Sequence, residues 1–275
     1  MNTRWNQLKK RILNEEYNHL NPMQREACFT VSGPVLILAG AGSGKTTTLI
    51  SRIHYMVKYG DSYFTDTSCP AFLEEEDFAR LEAKSVGSLT EAEQALFAQN
   101  PIAPEHILAI TFTNKAANEL KERLEKSLGE KAQRIWAMTF HSACCRILRR
   151  NIELLGYSRS FTIYDTSDSE RIMKEILKDM GLDDKTFPPR LVLSLISREK
   201  DAMSDPSRCL ANATANGDIR MTHIAKAYQR YQTRLKEHNA VDFDDIIYLT
   251  VKLLQNHEDV RRFYQRKFRY VLVDE

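Results

Sequence analysis

"LAGAGSGKTTTLI", residues 38–50, closes an apolar run with three glycines, a lysine and three threonines. Within it, Ala39 to Thr46 follows the spacing G-x-x-x-x-G-K-[ST], with Ala39 in place of the usual first glycine and Gly44, Lys45 and Thr46 in position. These residue types share one chemical use. Gly40, Gly42 and Gly44 allow positive φ, so that successive N–H groups can turn toward a single anion. The pattern Thr46–Tyr59 reads as a helix, whose positive end would face the same point. Lys45 can reach the β- and γ-phosphates of a nucleotide, and the Thr46 hydroxyl can ligate Mg²⁺. Ala39, Gly40, Ala41, Gly42, Ser43, Gly44, Lys45, Thr46 and Thr47 are therefore the candidate triphosphate site. The loop does not say which nucleotide, or what hydrolysis would drive.

The loop needs a strand before it and acids beside it. Val35–Ala39 is the strand expected before it. Further strands are expected at Ile107–Phe112, Ile135–Phe140 and Tyr270–Asp274, all rich in Ile, Val, Leu or Phe, as strands buried on both faces should be. Helices are expected at Lys115–Leu128, with Thr113 or Asn114 as N-cap, and at Ser142–Leu155. This alternation predicts an α/β fold with a parallel sheet and flanking helices. The last strand, in "FRYVLVDE" (268–275), ends on Asp274 and Glu275. Asp274 would hold the metal and Glu275 would orient or deprotonate an attacking water. Strands often end in acids, so this signal gains its force from the loop upstream. A sheet strand without its following turn and helix also implies a truncated chain.

Composition fits a basic body with one acidic stretch. The 275 residues are 43% apolar and 28% charged, with a net charge of +2. Residues 60–106 hold ten acids against Arg80 and Lys84, a local −8 that leaves +10 on the remainder. Such an asymmetry suits an anionic partner with the acidic stretch kept off the contact face, although a solvated loop on an ordinary protein would look the same. Five scattered cysteines without ligand spacing point to reduced thiols and no zinc site. No secretory h-region and no bilayer-length apolar run is present, which favours a cytoplasmic protein without a membrane partner.

Two stretches depart from the alternating pattern. From about 160 to 265 the apolar spacing is helical throughout, with "TFPP" and "ANATANGD" as punctuation, so a mostly helical subdomain is expected before the final strand. Residues 60–104 are Ser/Thr/Glu-rich, with helices plausible near 74–84 and 91–98. This insertion could be a loose loop or a surface for a protein partner.

Three more stretches complete the set: "LNPMQREA" (20–27), "ILAITFTNKAANELKERL" (107–124) and "TFHSACCRILRR" (139–150). With "AGAGSGKT" and "VLVDE", in this order, they resemble the N-terminal part of the UvrD/Rep/PcrA family of superfamily 1 DNA helicases. "FTIYD" (161–165) and "VDFDDII" (241–247) also resemble family segments. The likeness covers most of the chain outside 60–104. It implies a RecA-like motor domain of 1A type over 1–145 and 266–275, a helical subdomain of 1B type over 146–265, and a second RecA-like domain beyond the chain. It implies a bacterial, ATP-dependent 3′→5′ helicase of DNA repair or replication, acting on single strands and duplex junctions and using ATP and Mg²⁺. The chain alone would then be largely inactive.

The resemblance also assigns residues. Gln24 matches the glutamine that reads adenine, for which an amide has both donor and acceptor. Phe112, Thr113, Asn114 and Lys115 match one single-strand-contacting segment, in which a phenylalanine can stack on any base. Thr139, Phe140 and His141 match a second, and Arg146, Arg149 and Arg150 are candidates for duplex or backbone contacts. Each has a plainer alternative: Phe112 as core, His141 as a half-buried histidine, Gln24 as a helix cap, and Arg149 and Arg150 as solvated surface. Two other functions fit the same motifs. One is the motor of a RecB/AddA-type helicase–nuclease. The other is a nucleotide switch or single-strand-binding module without motor activity.

Overall fold

The computed structural model describes residues 1–40 and 42–274; Ala41 and Glu275, both assigned roles above, lie outside them. The chain divides into two compact units, residues 1–139 with 266–275, and residues 140–265. The first unit carries α1 (Asn2–Glu16), α2 (Pro22–Phe29), α3 (Lys45–Lys58), α4 (Glu75–Glu82), α5 (Glu91–Ala95), β1 (Ile107–Thr111), α6 (Asn114–Leu128) and β2 (Trp136–Thr139). The second carries α7 (Phe140–Asn151), β3 (Thr162–Ile163), α8 (Thr166–Asp179), α9 (Pro189–Asp201), α10 (Pro206–Ala215), α11 (Ile219–Glu237), β4 (Ala240–Val241) and α12 (Phe243–Asn256). Helix α13 (Glu258–Lys267) crosses the boundary and leads into β5 (Tyr270–Asp274) of the first unit.

The first unit contains a parallel sheet in the order β2–β1–β5. Strand β1 lies in the middle and is buried at all five positions, which is why "ILAIT" shows no polar alternation. Its register places Thr111 opposite both Thr139 and Asp274, so the carboxyl ends of the three strands fall level. Helix α6 makes the crossover from β1 to β2, and the Thr113 hydroxyl caps it by accepting from Ala116 N at 3.1 Å.

Two expectations change. Val35–Ala39 is not a strand: residues 34–40 join no ladder among the described residues, and Leu36 and Leu38 are 82% and 86% exposed. β-propensity gives a strand only where a neighbour supplies the hydrogen bonds, and β5 pairs with β1 alone among the described residues. Phe140 is not the end of β2. It opens α7, which starts two residues earlier than expected and gives way at Asn151 to a tighter 3₁₀ turn over Ile152–Leu155.

The acidic stretch is packed, not loose. Trp5 of α1 is 1% exposed; it stacks on Phe97 with centroids 5.0 Å apart and meets Phe78 at 6.5 Å. Around this aromatic contact, Arg4 bridges Glu75 at 2.6 Å and Glu82 at 2.7 Å, and the buried Lys9 ammonium donates to Thr65 O. Arg11 donates to the carbonyls of Glu82 and Lys84. Part of the acidic charge is therefore matched by α1. In the second unit, α8, α9 and α11 enclose Ile172, Met173, Val192, Ile196, Tyr228 and Leu235, while β3 and β4 form a two-stranded parallel sheet. Among the described residues no helix is long and apolar enough to cross a membrane.

Trp5→Ala should lower the free energy of unfolding by about 3–5 kcal/mol, the usual penalty for emptying a buried Trp site. A denaturant titration checks this, and a loss well under 1 kcal/mol would mean that 60–104 is not docked on α1.

Candidate functional site

In the first unit the glycine loop and the terminal strand meet. The Thr46 hydroxyl donates to Asp274 Oδ2 at 3.0 Å, across 228 residues of sequence. Asp274 reaches that position because β5 holds it in register with Thr111, and Thr46 because it lies in the first turn of α3. The Lys45 ammonium folds over the loop and donates to the carbonyls of Ala39 and Gly40, both at 3.0 Å. Ser43 Oγ donates to Gly40 O at 2.7 Å. Gly42 and Gly44 adopt φ of +74° and +79°, whereas Gly40 is not among the positive-φ glycines, so two of the three positions use the left-handed region. Thr47 is exposed beside them on α3. The arrangement presents a helix N-terminus, an ammonium, a hydroxyl and a carboxylate within one turn of chain and one strand end. That donor set can hold a phosphate and a hard, oxygen-seeking cation. Among the described residues no three His, Cys, Asp or Glu side chains gather as a metal cage.

Gln24 joins this group by a route that its sequence context only half reveals. Its Oε1 accepts from Asn21 N at 2.9 Å while Asn21 Oδ1 accepts from Gln24 N, a reciprocal capping box at the start of α2. Its Nε2 donates to Ser43 O at 2.9 Å, so the amide also touches the loop. Helix α2 is tied to α3 at its far end, where the Arg52 guanidinium donates to the carbonyls of Ala27, Thr30 and Val31. Burial lowers the pKa of that guanidinium, which sits among backbone oxygens rather than carboxylates.

The same sheet edge carries the second group. Phe112 follows β1 and is 55% exposed, so it is not a core residue. Thr113, Asn114 and Lys115 are exposed at the start of α6. Thr139, opposite Thr111 at the end of β2, is buried, and its side chain lines the sheet rather than the surface.

Phe140 and His141 belong to the second unit. There the His141 ring stacks on Phe243, with centroids 3.8 Å apart and planes 19° from parallel. Burial lowers the His141 pKa, with Asp244 pulling the other way, so the ring is neutral at neutral pH. Phe243 is 58% exposed. It carried no assignment in the sequence, although it lies within "VDFDDII". Arg149 is already engaged: its guanidinium lies 3.7 Å from the Phe161 ring centroid and donates to the carbonyls of Arg159 and Phe161. Arg150 lies over Phe263, and Arg146 is exposed on α7.

Comparison with known proteins places the chain in a family. The profile of the UvrD/REP helicase N-terminal domain matches residues 20–66 and 88–275. It passes over 67–87, within the acidic stretch. The chain is 38% identical over 263 residues to the ATP-dependent DNA helicase PcrA of Staphylococcus aureus and 40% identical over 264 residues to PcrA of Bacillus subtilis, in each case across 96% of this chain. It is 40% identical over 257 residues, 93% of its length, to the ATP-dependent DNA helicase UvrD1 of Mycobacterium bovis. The chain spans about 30% of the length of these curated relatives.

Gly44→Ala should strain the loop, because φ is +79° and the new Cβ would lie 3.0 Å from Gln24 Nε2. A loss of about 1–2 kcal/mol in stability is expected in thermal unfolding; no loss would mean that the left-handed turn does not persist in solution.

Proposed function

Because the chain belongs to the UvrD/REP helicase N-terminal domain family, we propose that it forms the ATP- and single-strand-binding region of a 3′→5′ DNA helicase. ATP hydrolysis there would drive translocation and unwinding in bacterial DNA repair or replication, in the cytoplasm. The observation that carries this reading is the 3.0 Å bond between Thr46 and Asp274, which joins the triphosphate loop to the acidic strand end. The first unit serves as the RecA-like motor domain of 1A type and the second as the helical domain of 1B type.

The residues fit a magnesium–triphosphate, since oxygen donors and one ammonium converge at a helix N-terminus. Lys45, which now donates to the carbonyls of Ala39 and Gly40, would hold the phosphate oxygens. Thr46 and Asp274 would hold the cation, and Glu275 would hold the attacking water as general base. Magnesium, when bound, supplies neutralisation of the charge on the phosphate oxygens. Gln24 reads the adenine edge with the amide that now bonds Asn21 N and Ser43 O, so base recognition and loop shape share one side chain. Along the sheet edge, Phe112 stacks on a base, and Thr113, Asn114 and Lys115 hold the backbone at the N-terminus of α6. Thr139 supports that edge from within the sheet. On the second unit Phe140, His141 and Phe243 add an aromatic platform, with a neutral His141 suited to stacking rather than ion pairing.

Lys45→Ala should weaken binding of a fluorescent ATP analogue by about tenfold or more, as expected for losing a charged hydrogen-bond donor to phosphate; unchanged affinity would remove the phosphate assignment. Phe112→Ala and Phe243→Ala should each weaken binding of an oligothymidylate by about 1–3 kcal/mol in fluorescence anisotropy. A variant that binds as tightly as the parent returns its residue to a purely structural role.

A further inference from the structure

The second unit buries a charged cluster that the nucleotide and strand assignments leave unused. Lys200, near the end of α9, is 2% exposed. Its ammonium lies 2.6 Å from Asp242 Oδ2 and 2.8 Å from Asp245 Oδ1. Asp245 has no exposed surface and also accepts from Gln232 Nε2 of α11 at 3.0 Å. The Tyr231 ring lies 5.5 Å from the ammonium. Burial opposes the Lys200 charge, but the carboxylates of Asp245 and Asp242 more than offset it, and its pKa is raised. The cluster therefore holds a full ammonium in a place where charge is expensive.

Such a cluster is a poor device for stability alone. Removing an ammonium and two carboxylates from water costs several kcal/mol per ion, and apolar residues of similar volume often serve as well. What it does provide is a fixed geometry, and here that geometry falls on one point. Asp242 and Asp245 are the two halves of the capping box of α12: Asp242 Oδ1 accepts from Asp245 N at 2.8 Å, and Asp245 Oδ2 accepts from Asp242 N at 3.3 Å. Phe243 is the first helical residue after that cap, and its ring lies outside on His141. The ammonium of α9 thus binds, on both capping carboxylates, the oxygens that the capping box does not use.

We propose that Lys200 is a positioning residue for single-strand binding, anchoring the capping box of α12 so that Phe243 presents its ring, stacked on His141, to a base. This rests on the reading of Phe243 as a stacking residue. A cap without its anchor would still start a helix, but the direction of its first turn, and with it the Phe243 ring, would no longer be fixed from α9.

The test combines ring-current NMR with binding, on the 275-residue chain. The His141 ring protons lie against the face of Phe243 and are shielded, which Phe243→Ala identifies by their downfield movement. In Lys200→Met the same resonances should move toward their positions in Phe243→Ala. Oligothymidylate affinity should fall about twofold or more, and this fall should vanish in the Phe243→Ala background, the non-additivity expected of residues acting as one unit. If Lys200→Met does not fold, the neutral variant Lys200→Met/Asp242→Asn/Asp245→Asn keeps a capping side chain and removes the stranded charges; the same shift and non-additive loss are expected from it. Unmoved His141 resonances, or an affinity loss that adds fully to that of Phe243→Ala, would overturn the positioning role. A Phe243→Ala variant with parental affinity would instead overturn the stacking assignment on which it rests.

Discussion

The hydrogen bond from Thr46 to Asp274 is the constraint from which the first unit's arrangement follows. It joins residues 228 apart in the sequence. Asp274 is placed by the β1–β5 register, and that register also sets Thr111, after which Phe112 emerges from the sheet. A one-residue slip of β5 would turn the Asp274 side chain to the opposite face and separate it from Thr46. The parallel ladder thus fixes the glycine-loop corner and the exposed aromatic beyond β1 together, which under the proposed function would link nucleotide state to strand contact.

The candidate contact residues share a second feature. Lys45, Asn114, Phe140 and Phe243 are each the first residue of a helix, namely α3, α6, α7 and α12. Helix starts leave N–H groups without intrahelical partners and carry partial positive charge, so they suit phosphates without requiring many basic side chains. Side chains that cap those starts become positional elements as well. Thr113 caps α6, the Asp242–Asp245 box caps α12, and Gln24 closes the box of α2 while touching the loop.

Much of this was legible in the sequence because the signals are local. The glycine spacing of the loop, the apolar runs of β1, β2 and β5 and a cap at Thr113 or Asn114 each lie within a few residues. What the sequence hid is tertiary. Val35–Ala39 has strand composition, but a strand exists only through its neighbours. The exposure of Phe243 and its stack on His141 depend on α7 and α12 meeting, and no spacing encodes that. The composition of 60–104 left a loose loop and a partner surface equally open, because Trp5, Arg4, Lys9 and Arg11, which hold it, lie far upstream. Gly40, a glycine of the loop expected to supply positive φ, does not use the left-handed region.

That docking has a consequence for how the protein is made. Trp5 finds a hydrogen-bond partner at Thr67, a stacking partner at Phe97 and a tilted ring contact at Phe78, all synthesised long after it. At roughly 5–20 residues per second on a ribosome, Trp5 is without these partners for several seconds. During that interval the exposed indole adds to the aggregation hazard of the nascent chain, and its burial waits on the emergence of Phe78 and Phe97.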